Sequence, residues 1–198
     1  MEIERKFLIK ELPENWNIEK KDIIRSIHRS YYEAGSNILL TNTFGANALK
    51  FPDDLEEIVT AAVNLAKEAR RRCGREDAYV ALDIGPTGRL LAPLGDLDFE
   101  EAVAAFAATV QAGVKYGVDL ILIETMNDSY ETKAALLAAK ENSTLPVLVS
   151  NAYGEDGKLM TGATPAAMVA MLEGMGADAI GVNCSLGPKQ LSSVVEEY

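Results

Sequence analysis

The chain has 198 residues, of which 48% are hydrophobic and 7% aromatic, with a net charge of −11. That composition supports a continuous apolar core and is unlike that of disordered chains. The acidic excess argues against a nucleic-acid partner, since such proteins gather Lys and Arg on one face. No apolar stretch approaches the roughly 20 residues that span a bilayer, and Met1-Glu2-Ile3-Glu4-Arg5-Lys6 lacks the apolar centre of a signal peptide. A cytoplasmic protein with no membrane partner is expected. Two cysteines, Cys73 and Cys184, are too few for a disulfide framework, so either one matters as a thiolate if at all.

In chain order, a first helix is predicted over residues 22–34 and a strand over 37–41. Residues 53–72 follow as a helix with Leu55, Ile58, Val59, Ala62, Ala66 and Ala69 on one face, acids in the first turn, Arg70 to Arg72 in the last and Gly74 beyond. Further strands are predicted over 79–84, 119–123, 146–150 and 178–183. They alternate with helices opening near Asp98, Asp128 and Thr164, where Asp98 with Glu101 and Asp128 with Glu131 have capping-box spacing and Thr164 precedes a proline. The strands read as continuously apolar runs, the pattern of a parallel sheet covered on both faces.

A weak repeat places Gly-x-Asn or Gly-x-Asp at 35–37, 117–119 and 176–178, between a helix end and a strand start. Glycine stops the helix in a left-handed conformation, and the Asn or Asp turns the chain into the strand. Five strand and helix units without a hairpin signal define an α/β fold with a parallel sheet. A doubly wound sheet and a (β/α)8 barrel both fit.

The carboxyl ends of parallel strands carry the site in either architecture. Cys184 follows the last apolar strand, where a thiolate can serve as a nucleophile or a metal ligand, or the cysteine is simply buried and inert. Glu124 ends the run Leu120-Ile121-Leu122-Ile123, where a carboxylate is costly unless paired or functional, or else caps the loop. Asn42, Thr43 and Asn183 offer neutral hydrogen bonds suited to a zwitterion, or merely shape loops. Gly85-Pro86-Thr87-Gly88 matches no phosphate-loop pattern and reads as a rigid rim loop. His28, inside the first helix, reads as structural. Cys73 falls at the edge of the sheet opposite Cys184.

Several segments in one order bear a resemblance: Glu11-Leu12-Pro13-Glu14, His28-Arg29-Ser30-Tyr31, Thr41-Asn42-Thr43-Phe44-Gly45-Ala46-Asn47, Asp83-Ile84-Gly85-Pro86-Thr87-Gly88, Glu124-Thr125 and Gly181-Val182-Asn183-Cys184-Ser185-Leu186-Gly187-Pro188. Together they resemble the homocysteine S-methyltransferase domain, of the kind that opens cobalamin-dependent methionine synthase. The resemblance implies a (β/α)8 TIM barrel in which zinc on three cysteine thiolates activates the homocysteine thiol for methylation to methionine. By the same resemblance Cys184 is the first zinc cysteine, and Glu124, Asn42, Thr43 and Asn183 line the homocysteine pocket; no catalytic group is assigned. Homocysteine and a methyl donor or cobalamin-binding module are the implied partners, with cobalamin reached only through partner modules.

The family's first strand, with its Asp-Gly-Ala-x-Gly-Thr type loop, and the Gly-Gly-Cys-Cys-Gly motif after its eighth strand have no counterpart in the sequence. The expectation is therefore an incomplete barrel of about five units over residues 11–198, poor zinc binding, impaired activity and self-association through unpaired strand edges. A noncatalytic barrel fragment needing a partner is the alternative. Residues 1–10 form a separate segment in this division. Glu2, Glu4 and Lys6 share one face of a strand and resemble the opening ExExK of CYTH proteins, which implies a triphosphatase as a further alternative.

Overall fold

The computed structural model describes residues 16–198. The ExExK segment and the division at residue 10 lie outside the described residues. Five strands, β1 (Ile38–Leu40), β2 (Tyr79–Ile84), β3 (Leu120–Met126), β4 (Val147–Asn151) and β5 (Ala179–Val182), form one parallel sheet in the order β1-β2-β3-β4-β5. A doubly wound sheet reverses its strand order at a switch point. The unbroken order here excludes that alternative and gives the arc of a (β/α) barrel.

The helices are α1 (Trp16–Glu19), α2 (Lys21–Glu33), α3 (Leu55–Arg72), α4 (Phe99–Tyr116), α5 (Ser129–Asn142), α6 (Pro165–Gly174) and α7 (Pro188–Glu197). Asp98, Asp128 and Thr164 cap α4, α5 and α6 as predicted, accepting from the backbone N–H groups of Glu100, Tyr130 and Ala167. The capping-box acids act elsewhere: Glu101 pairs with Arg89, and Glu131 accepts from both the backbone N–H and the hydroxyl of Thr87. The second of these contacts ties the rim loop after β2 to α5.

Gly35, Gly117 and Gly176 all have positive φ, as the repeat requires. The acids two residues later do more than turn the chain. Asp119 accepts from the backbone N–H of Val80 on β2 and from Arg70, and Asp178 accepts from that of Val147 on β4 and from Lys140. Each acid thus caps the amino end of the neighbouring strand.

Side chains alternate across the strands. Leu39, Val80, Leu82, Ile84, Ile121, Ile123, Val147 and Val149 point toward the helices and, with Val59, Phe106 and Leu136, build the core. Gly113 lets α4 settle onto β2, where a Cβ would lie 2.5 Å from a Leu82 methyl. The opposite, concave face differs from the expectation of two covered faces. Leu40, Leu122 and Leu148 are only half-buried and Ile38 is exposed. Among the described residues β1 and β5 each pair with one strand only, so the arc stays open and its inner face is reached by solvent.

Candidate functional site

The polar ends of the strands on the concave side form one connected group. Asn183, just after β5, is its hub: its Oδ1 accepts from the backbone N–H of Thr125 (3.0 Å) and from Ser150 Oγ (2.8 Å), while its Nδ2 donates to Glu124 Oε2 (2.9 Å) and Thr125 Oγ1 (2.8 Å). The backbone donor fixes the amide's orientation, since only the oxygen end can accept from it. The bond to Glu124 is charge-assisted and holds that carboxylate in place. β3, β4 and β5 each contribute to this arrangement. The structure thus brings Glu124 and Asn183 together.

The backbone is strained at the same place. Thr125 has φ of 61°, where β3 shifts register against β4, and Cys184 and Ser185 have φ of 60° and 51°. These are the only described non-glycine residues with positive φ. A β-branched residue in that region is an outlier that its surroundings must enforce. Asn183 does so by gripping both the backbone and the hydroxyl of Thr125.

Asp83 is the neighbour that sequence reasoning passed over as a site residue. It lies near the end of β2, its backbone N–H donates to Thr41 Oγ1 (3.0 Å), and its carbonyl accepts from Thr43 Oγ1 (2.7 Å). Its side chain is 6% exposed, and its Oδ1 is buried without a hydrogen-bond donor. Burial, with the charge and hydrogen-bonding contact of Glu124 added, pushes its carboxyl up to about 8. Two carboxylates facing each other have no proton between them to share; one proton on the pair supplies the donor that Oδ1 lacks. The signal was present in the sequence, because an acid inside Tyr79-Val80-Ala81-Leu82-Asp83-Ile84 meets the criterion that singled out Glu124.

The other predicted residues fall differently. The Thr43 hydroxyl is buried and bonded to Thr41 Oγ1 (2.6 Å) and the Asp83 carbonyl, so it supports β2 from behind. Asn42 is exposed and donates to Asn17 Oδ1 in α1 (3.2 Å). Both line a separate cleft of about 210 Å³ with Phe44 and Lys50. Cys184 is exposed in the strained turn after β5, whose Ser185 hydroxyl donates to the Tyr153 carbonyl. Cys73, at the end of α3, lines a cleft of about 520 Å³ with Arg25, Arg29, Arg72 and Arg75.

A catalytic zinc needs about three protein ligands. Among the described residues no group of three His, Cys, Asp or Glu side chains is placed to hold a metal, and Cys184 is the single thiol on this rim. The described residues therefore do not fit a zinc site by themselves.

An arc of parallel strands with helices on one face and a polar, strained rim at the strand ends is the architecture of part of a (β/α) barrel. A sequence profile of homocysteine S-methyltransferase matches residues 2–198, and the chain belongs to that family. It is 30% identical over 188 residues to methionine synthase from Mycobacterium leprae and 29% to that from Mycobacterium tuberculosis. Each match covers 89% of this chain but only 16% of the relative. Among solved structures, the homocysteine methyltransferase MmuM from Escherichia coli superimposes with TM-scores of 0.74 in its apo form and 0.79 in its metallated form. Both are 24% identical, covering 88% of this chain and 66% and 67% of theirs. That likeness shows the fold, a TIM barrel of which the described residues form five strands.

Proposed function

We propose that the chain is the homocysteine-binding part of a methyltransferase that converts homocysteine to methionine. The observation that carries the reading is the Glu124, Asn183 and Thr125 network, which holds a carboxylate and an amide in fixed orientation on an open concave face, in a chain of this family. Glu124 takes the ammonium end of the amino acid and Asn183 orients Glu124. Thr43 supports the strand end beside it, and Asn42 lines the approach from α1.

Cys184 is one thiolate of a zinc site whose other ligands lie outside the described residues. Zinc, when complete, lowers the pKa of a bound thiol. The chain by itself binds zinc weakly and methylates poorly. The methyl group comes from a donor or a cobalamin-binding module supplied by a partner, in the cytoplasm, with no nucleic acid or membrane involved. Among the described residues β1 and β5 leave unpaired edges, which favour self-association. No helix among the described residues is long and apolar enough to cross a membrane.

Calorimetric titration with L-homocysteine tests the reading. Saturable binding weakened at least about tenfold by Asn183→Ala, a loss on the order of 1–3 kcal/mol for orphaning a charge-assisted contact, is expected. No binding, or equal binding by the variant, overturns it.

A further inference from the structure

Asp83 and Glu124 bring two carboxyls into hydrogen-bonding contact on adjacent strands, one of them almost wholly buried with an oxygen that no donor reaches. Among the described residues the hydrogen-bonding groups around them are neutral. Thr41 and Thr43 lie on the β1 side, and Ser150 and Asn183 on the β4 and β5 side, and none of the described ion pairs of Lys or Arg involves either carboxyl. A buried pair of like charges without a cation holds a proton instead. Glu124 is only half-buried, so the pair is open to the concave face.

We propose that Asp83 and Glu124 form one receptor for a primary ammonium group: the empty pair shares a single proton, and an incoming ammonium displaces it to solvent and takes its place. The proton leaves the carboxyl as H+ to buffer. Two carboxylates then face one ammonium, and no covalent bond changes. A compact ammonium suits two carboxyls on adjacent strands better than a planar guanidinium, because its three donors can be shared between them without the coplanar fork that a guanidinium presents. A divalent cation is disfavoured, since it seeks six or more oxygens and Asn183 turns its nitrogen, not its oxygen, toward Glu124. Asp83 is thereby a specificity residue, selecting α-amino acids over the corresponding acids without an amino group. The identification of the amine as an amino acid rests on the proposed function. The proton exchange does not.

The test uses thiol-free ligands, so that no thiol ionisation is counted. L-Methionine is titrated calorimetrically in two buffers of different ionisation enthalpy, beside 4-(methylthio)butanoate, its analogue without the amino group. The expected result is release of about one proton per methionine near pH 7 and affinity falling about tenfold per pH unit toward pH 6. The analogue should bind at least about tenfold more weakly and release no proton. Asp83→Asn should bind methionine with no proton release and no such slope, and Glu124→Gln, a second variant should the first misfold, should do the same. Methionine binding without proton release, proton release retained in both variants, or no methionine binding at all overturns the receptor. Proton-linked methionine binding in a chain that neither binds nor methylates homocysteine sinks the proposed function and leaves the receptor standing.

Discussion

Asp83 makes the wild-type fold less stable at neutral pH than it need be, and Asp83→Asn measures by how much. The ordinary value of this carboxyl is 3.8, and burial with the Glu124 charge beside it raises it to about 8 in the native state. Between those limits the native protein holds a proton that the unfolded chain has released, so stability falls as pH rises through the window. Each pH unit is worth about 1.4 kcal/mol, which sets a ceiling of about 4 kcal/mol by pH 7. Asparagine has the same shape, carries no charge and donates to Glu124 as the protonated acid does. The variant is therefore expected to be about 2–4 kcal/mol more stable than wild type in urea unfolding near pH 7 to 8, with the difference vanishing toward pH 4. An offset independent of pH, or a variant less stable than wild type near pH 8, refutes the reasoning.

His28 has the opposite sign. Buried in α2 with its Nε2 unpartnered, it is pushed down from 6.5 to about 4 by desolvation, so the unfolded chain gains a proton first on acidification and stability is lost as pH falls from about 6.5 to 4, by up to about 3 kcal/mol. Between pH 4 and 6.5 the two slopes cancel in wild type. His28→Leu should unmask a decline in urea midpoint with rising pH and Asp83→Asn a rise, and a flat profile in either variant contradicts the assignment. Gly85→Ala would place a Cβ 2.5 Å from the Phe44 ring, while the Gly85 N–H is held by the Phe44 carbonyl. A loss of about 1–3 kcal/mol is expected. Phe44→Ala should relieve most of that loss in a double-variant cycle, and an equal loss in both backgrounds would show that the ring is not the obstacle.

Much of the scaffold was legible because its signals are local. Gly35, Gly117 and Gly176 stop helices in a conformation that glycine favours, and Asp98, Asp128 and Thr164 carry side chains that reach the first free N–H groups. What the acids do across strands was not legible. Asp119 bonds to Val80 and Glu131 to Thr87, about forty residues away in each case, and no spacing rule encodes such partners. The site was half-visible for the same reason. Glu124 and Asn183 stood out as polar groups ending apolar runs, and their contact across β4 emerged only from the sheet order. Asn42 satisfied the same rule yet turns away to Asn17. Thr125 gave no sign of its left-handed backbone, because it is Asn183, 58 residues later, that holds it there.

The two faces of the sheet have opposite energetics, and that is why the rim tolerates its strain. Thr125, Cys184 and Ser185 each cost about 1–2 kcal/mol for a positive φ, and Asp83 adds up to about 4 kcal/mol at neutral pH. Together these approach the whole net stability of an ordinary domain, about 5–15 kcal/mol. They are offset on the other side, where Val59, Val80, Leu82, Phe106, Ile121, Ile123 and Leu136 are buried almost completely in a core the rim residues do not enter. Truncating Phe106 to Ala should cost about 3–5 kcal/mol, whereas neutralising Asp83 should gain stability. A residue whose removal strengthens the fold is not held there by folding. Its buried, unpartnered oxygen, on a carboxyl that contacts Glu124, is the feature that a bound ammonium would satisfy.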